Sequence, residues 1–215
     1  ILAMVINQIR SPKWKRTVQT TVYIPYFISV VVLVSMLNIM FANDSGVIAN
    51  FLKSLHIVSR DTNILGKESC FVPLYVLSGV WQTMGWNSII FIAALSSVDL
   101  ELHEAAQLDG ANRLKRVVYI DLPILLPTAA IMLILSVGSL MSVGFDKAYL
   151  MQNNANLSAS EIISTYIYKT GMNNGTAQFS YATAIGLFNS AVNCCMLLVV
   201  NKLADKVGDG GYGLF

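Results

Sequence analysis

The sequence is short of charge. Asp, Glu, Lys and Arg make up 12% of its 215 residues, where soluble domains carry about a quarter. With 55% of the residues hydrophobic, that shortage excludes an ordinary water-soluble domain and points to lipid as the surrounding medium. A net charge of +2 is too small to draw a nucleic acid. The two histidines, His56 and His103, are far apart and lack metal-ligand spacing. The three cysteines, Cys70, Cys194 and Cys195, suit neither a metal site nor an easy disulfide. They are expected to be small buried apolar residues. Gly66-Lys67-Glu68 is the nearest thing to a phosphate loop, and it lacks the upstream glycine spacing and the Ser/Thr. No nucleophile elbow occurs. No catalytic residue, metal site or cofactor is therefore assigned to this chain.

What is there is a set of long apolar runs. Residues 18–41, 73–95, 124–145 and 181–203 are each long enough for a hydrocarbon core that takes about 20 helical residues to cross. Residues 1–9 read as the end of a further helix. The chain opens on Ile1 inside an apolar stretch, so an N-terminal part is expected to precede it. The predicted fold is all-α: a polytopic membrane helix bundle over residues 1–215 as one transmembrane domain. Pro25 falls near the start of the first full span, Pro73 at the start of the second, and Pro123 and Pro127 at the entry of the third. Gly138 and Ser142 make a small-xxx-small pair suited to close helix packing. Between the spans, 47–55 reads as a short interfacial helix and 160–169 as an amphipathic one. The tail 205–215 is glycine-rich.

Positive charge sets the orientation. The basic loop 10–16 carries Arg10, Lys13, Lys15 and Arg16, and the 96–123 loop carries Arg113, Lys115 and Arg116. These loops and the C-terminus are expected in the cytoplasm, and the two long polar connections outside.

The 96–123 loop organises the chain. Residues 100–108 are strong helix formers. Gly110 offers a turn without a Cβ penalty. Asp109 is expected to cap a second helix over 111–119, which Pro123 ends. From the residues alone this is a cytoplasmic helix–turn–helix without a named partner.

The pattern Glu104-Ala105-Ala106, Asp109-Gly110-Ala111, then Ile120, Leu122-Pro123 and Pro127 resembles the EAA loop of the permease subunits of bacterial ABC importers. Val117, where that family often has Phe, and His103, where Tyr commonly precedes the motif, depart from it. The stretches TVYIPYFISVVV, SGVWQTMGWNSIIFIAAL and FSYATAIGLFNSAVNCCMLLVVNKLA are similar to the branch that takes up oligosaccharides and polysaccharides. The resemblance implies a multi-pass subunit of the bacterial inner membrane whose first helix is missing here. It also implies a separate ATPase subunit carrying ATP and Mg, a second permease of a different chain, and an extracytoplasmic solute-binding protein. On that match Glu104, Ala105, Ala106, Asp109, Gly110, Ala111, Leu122 and Pro123 form the ATPase-coupling element.

Polar groups inside spans are costly in lipid and tend to face a bundle interior. Gln82, Trp86 and Asn87 in the second span, near Ser78 and Trp81, and Asn189 and Asn193 in the last are candidate path residues for a carbohydrate, with interhelical hydrogen bonding as the competing role. An ion-coupled secondary transporter would carry ionisable residues within its spans, and these spans carry essentially none. A non-transporting membrane scaffold or sensor is the remaining alternative; it would not co-purify with an ATPase.

Overall fold

A computed structural model describes residues 1–9, 11–59, 62–141, 144–173 and 178–207. Arg10, Arg60, Ser142 and the tail from residue 208 lie outside the described residues. Among the described residues every regular element is helical: α1 Leu2–Asn7, α2 Pro12–Tyr23, α3 Val30–Met40, α4 Val47–Ser54, α5 Glu68–Ser96, α6 Leu100–Leu108, α7 Arg113–Arg116, α8 Leu122–Gly138, α9 Phe145–Met151, α10 Leu157–Ser160, α11 Ile163–Tyr168 and α12 Phe179–Val207.

Several boundaries differ from the sequence expectation, each for a local reason. The basic stretch 10–16 is not a loop from Pro12 onward. Ser11 is extended and Pro12 opens α2, because a first-turn position needs no N–H and suits a fixed φ. The expected span 18–41 is not one helix. It breaks at a 3₁₀ turn, Ile24–Phe27, that contains Pro25. Ser29 then restarts the chain as α3, its hydroxyl accepting from the Val32 N–H at 3.3 Å. Pro73 does not start its helix: α5 begins at Glu68, an acid at its positive end, and Pro73 lies in the second turn. The 160–169 helix is split, with Glu161 and Ile162 extended between α10 and α11.

The second helix of the central loop departs most. It does not end at Pro123. α7 passes into a π turn, Val117–Asp121, and on into α8, giving one apolar helix over Arg113–Gly138. In the π turn the Leu122 N–H reaches back five residues to the Val117 carbonyl. The widened turn makes room for the Pro123 ring, which would otherwise clash with the carbonyl four residues earlier.

Arg113–Gly138 and Phe179–Asp205 are long and apolar enough to cross a membrane, and Pro12–Phe27 with Val30–Met40 qualifies as one broken pair. The 29-residue α5 is about 43 Å long at 1.5 Å per residue. It has the length, but Gln82 and Asn87 dilute its apolar character. None of the most apolar stretch of Phe179–Asp205 is buried within the chain. That much apolar surface turned outward suits lipid rather than water.

The chain packs as two compact units. The first comprises Ile1–Tyr26, Thr83–Leu140 and the segment from Ala191. Its core is Ala3, Leu95 and Leu125, with Phe91, Ile92 and Val98 against it. Here α5 backs closely onto α2: a Cβ on Gly85 would sit 2.0 Å from the Val22 carbonyl oxygen. In the same unit Gly138 faces Leu197, whose Cδ1 a Cβ would meet at 2.8 Å; Ser142, the other member of the small-xxx-small pair, lies outside the described residues.

The second unit comprises Phe27–Gln82 and Met141–Ser190, with Val34, Phe71 and Met151 at its core. Its polar connection is held by Asn156, which is 1% exposed. The Asn156 amide donates to the carbonyls of Leu65 (2.9 Å) and Met151 (3.1 Å). Its oxygen accepts from the Asn153 N–H (2.9 Å) and the Ser160 hydroxyl (3.0 Å). Asn156→Ala strands these groups in a dry site at about 1–3 kcal/mol each. A lowered thermal midpoint of the detergent-solubilised protein is expected, and an unchanged midpoint would remove Asn156 as the anchor.

Candidate functional site

The candidate coupling residues are built on α6. Asp99 caps its start, a carboxylate oxygen accepting from the Glu101 N–H at 3.1 Å. At the other end Gly110 has φ +76°, the left-handed conformation that favours glycine. The Ala111 N–H bonds the Ala106 carbonyl (2.9 Å) and the Gly110 N–H bonds the Gln107 carbonyl (3.1 Å). That pair of bonds is a Schellman cap. Ala106, Asp109, Gly110 and Ala111 thus have a common structural reason: they end a helix and reverse the chain. Asp109 does not cap the following helix, as its sequence position suggested. It is the C-cap that follows the last residue of the first one, Leu108. Asn112 caps α7 instead, its side-chain oxygen accepting from the Lys115 N–H at 2.8 Å. Asparagine is three residues before Lys115, the spacing a cap requires; Asp109 is six.

Within 101–110 only His103 and Ala106 are less than exposed. Glu104, Ala105, Asp109 and Gly110 face outward, as does Leu108 at 90% exposure. Leu122 and Pro123 are not part of this turn; they lie beyond the π turn at the start of α8. Glu104, His103, Gln107, Arg113 and Arg116 line a polar cavity of about 460 Å³ together with Gln8.

Beneath the exposed turn lies an acid that sequence reasoning passed over. Asp121, on the π turn, is 0% exposed. Its Oδ1 lies 3.3 Å from Nε2 of His103, and its Oδ2 accepts from the Gln8 side-chain amide at 3.3 Å. The available signal was an ionisable residue in an otherwise apolar Val-Val-Tyr-Ile-Asp-Leu-Pro run.

The candidate path residues fare unevenly. Gln82 is engaged: its amide donates to the Ile28 carbonyl at 2.8 Å, satisfying a carbonyl freed where the α2–α3 run breaks. Trp86 stacks flat on Tyr26, with centroids 4.4 Å apart and planes 3° apart, while staying 42% exposed. Asn87 is exposed. Asn189 is half-buried, with its side-chain oxygen buried and without a hydrogen-bond partner among the described residues. Asn193 is half-buried and partnered. Gln82 and Asn189 belong to the second unit, and Trp86, Asn87 and Asn193 to the first. Trp81 lines a largely apolar cavity of about 490 Å³ with Leu33, Met36, Leu74 and Leu77, where Ser69 and Ser78 are the hydroxyl-bearing lining residues.

Two further findings correct the sequence picture. Cys194 and Cys195 are exposed on α12 and Cys70 is half-buried; none of the three is a core residue. Lys147, read as part of a polar connection, is 7% exposed. Its ammonium donates to the Tyr75 carbonyl at 2.8 Å and sits 4.8 Å from the Tyr75 ring centre. Burial pushes it down to about 8.

Comparison with known proteins supplies the family. The model of the binding-protein-dependent transport system inner membrane component family matches residues 1–208. The polygalacturonan/rhamnogalacturonan transport system permease protein YteP of Bacillus subtilis is 38% identical over 211 residues, covering 98% of this chain and 64% of that protein. The chain therefore spans less than two thirds of that relative's length. Among solved structures, a bacterial ABC transporter involved in import of the acidic polysaccharide alginate aligns with TM-score 0.90 and 32% identity, covering 96% of this chain and 71% of that one. A second crystal structure, of the alginate transporter in complex with alginate pentasaccharide-bound periplasmic protein, aligns with TM-score 0.90 and 33% identity over 98% of this chain and 72% of that one. By the match of nearly its whole length, the chain belongs to the family of binding-protein-dependent transport system inner membrane components.

Proposed function

We propose that this chain is the permease subunit of an ATP-driven importer of oligo- or polysaccharide, and that α6 with its Gly110 turn docks on a separate ATPase subunit. The observation that carries the docking assignment is the outward presentation of a rigidly capped helix end. Glu104, Ala105, Leu108, Asp109 and Gly110 are exposed at the tip of a short helix whose termini are both hydrogen-bonded. A capped end holds its shape when pushed. Small residues beside an exposed leucine let another protein's backbone approach closely, and Glu104 adds one charge.

The mechanism we propose rests on the family together with that geometry. ATP and Mg are held by the partner, and closure of the ATPase pair moves the docked turn. The turn leads, through Asn112 and α7, into the long Arg113–Gly138 helix, so it stands at the start of a membrane-spanning element. The spans then alternate between inward- and outward-facing arrangements around the solute. A second permease completes the path, and a solute-binding protein delivers the saccharide from outside. The basic residues around the turn support a cytoplasmic location for it and for the C-terminus, at a bacterial cell membrane. Asn87, which is exposed, and Asn189, whose buried side-chain oxygen has no hydrogen-bond partner among the described residues, are the candidate contacts for saccharide hydroxyls. Gln82 is set aside from that role by its bond to Ile28. The names of the relatives favour acidic polysaccharide fragments as the solute class.

Reconstitution of the full-length protein with its ATPase, second permease and binding protein tests this. Binding-protein-stimulated ATP hydrolysis is expected with galacturonan or alginate oligosaccharides and not with neutral ones. Stimulation by neutral saccharides alone would overturn the solute class. Failure of any ATPase to co-purify would overturn the importer assignment and favour a scaffold.

A further inference from the structure

We propose that His103 and Asp121 form a buried mechanical link that carries the movement of the docking helix into the membrane helix bundle. It rests on the importer function proposed above. The observations are three.

First, α6 has little grip on the rest of the chain. Within 101–110 only His103 and Ala106 turn inward. These two are three residues apart and share one helix face. Ala106 offers a methyl group. His103 is therefore the side chain through which the helix can hold anything at a distance.

Second, what His103 meets is fully enclosed. Asp121 is 0% exposed and its Oδ1 lies 3.3 Å from the His103 Nε2. A buried carboxylate is costly unless met by donors. Oδ2 of Asp121 accepts from the Gln8 amide, whose Nε2 is 3.3 Å away; Oδ1 has no hydrogen-bond partner among the described residues, and the His103 Nε2 at 3.3 Å faces it as an ion-pair contact outside hydrogen-bond geometry. The cluster thus joins three segments: α6, the residue that follows α1, and the π turn.

Third, the acid sits where the helix can respond. Residues Val117–Asp121 form the only segment of the Arg113–Gly138 helix with π geometry. A π turn is a local excess of one residue that can shift along a helix, and such turns concentrate at functional positions. A tie at its last residue couples displacement of α6 to the register of the helix beyond. Continuity through Gly110 alone would not do this. The capped turn holds its own shape, but one chain crossing by itself transmits little torque. The His103–Asp121 contact adds a second point of attachment, with the chain through Gly110 as the first.

His103 and Asp121 are positioning residues here; neither touches nucleotide or solute. The experiment uses the reconstituted complex of the full-length protein with its ATPase, second permease and binding protein, given a galacturonan oligosaccharide digest. His103→Ala and Asp121→Asn are expected to keep ATPase association and basal ATP hydrolysis. Binding-protein-stimulated hydrolysis and uptake should fall by about ten-fold, the size of an ordinary coupling effect. The reversed pair, His103→Asp with Asp121→His, and the donor-retaining His103→Gln should recover most of the stimulation. A purely structural role would lower the thermal midpoint without changing the ratio of stimulated to basal hydrolysis. That result overturns the link, as does full stimulation in both single variants, or loss of ATPase association in His103→Ala. Should His103→Ala not fold, His103→Gln carries the test: full loss of stimulation with it overturns the link. Absence of ATPase from preparations of the unaltered protein would sink the importer function itself, and is seen before any variant is made.

Discussion

Gly85→Ala is expected to disrupt the fold more than a methyl group added at any other described glycine. The new Cβ would lie 2.0 Å from the Val22 carbonyl oxygen and 2.6 Å from its carbon. Both are backbone atoms of α2, so no side chain can rotate away. The helices must separate, and separation also weakens the Tyr26–Trp86 stack that lies beside this crossing. Overpacking in a well-filled interface costs about 1–3 kcal/mol and more when backbone must move, a large fraction of a stability of about 5–15 kcal/mol. Low yield of folded protein in detergent and a thermal midpoint lowered by several degrees are the measurements. Gly138→Ala is the control: its nearest obstacle is the end of the Leu197 side chain, which can change rotamer, so a smaller loss is expected. Equal effects of the two would show that backbone proximity at Gly85 is not what matters.

Gly110→Asp is expected to abolish coupled transport while leaving the chain folded. Nothing lies within 4 Å of the Cβ position at Gly110, so the substitution meets no obstacle inside the chain. Two effects remain. A non-glycine residue at φ +76° costs about 1–2 kcal/mol, which loosens the cap that ends α6. The carboxylate also projects from the exposed tip, into whatever docks there. Gly110→Asn separates the two effects. Asparagine tolerates the left-handed region better than most residues, so it keeps the turn and adds only bulk. If ATPase binding is lost with both substitutions while the thermal midpoint holds, steric exclusion from the docking cleft is the cause. If Asn restores uptake and Asp does not, the cause is charge and backbone strain. Normal uptake and normal ATPase association with Gly110→Asp would remove the coupling role from this turn.

The π turn changes how the central loop works. With Pro123 ending a helix, the loop would be a separate helical hairpin between two spans. With the π turn, the Gly110 turn opens, through Asn112, into a continuous helix over Arg113–Gly138. Asp121 is carried by that turn, which is why the buried acid and the widened helix occur together.

Composition and local chemistry determined much of this protein. The shortage of charge and the long apolar runs required a helical membrane protein, since lipid leaves backbone groups no other partner than their own helix. Glycine's conformational freedom located the turn at Gly110, and the helix formers before it bounded Leu100–Leu108 to the residue. These are short-range effects, decided within one or two turns. Where the outcome depended on which nearby group would satisfy a freed hydrogen bond, only the tertiary structure decided. Pro25 broke a helix where a kink was equally open to it, because Ser29 could cap the restart and Gln82, 54 residues away, could take the Ile28 carbonyl. Pro123 did not break one, because the preceding turn widened. Asp121 became a buried partner of His103, and Asn156 the anchor of a polar connection, through contacts across 18 and 91 residues of chain. No periodicity in the sequence encodes such pairs, because each depends on where distant helices come to rest.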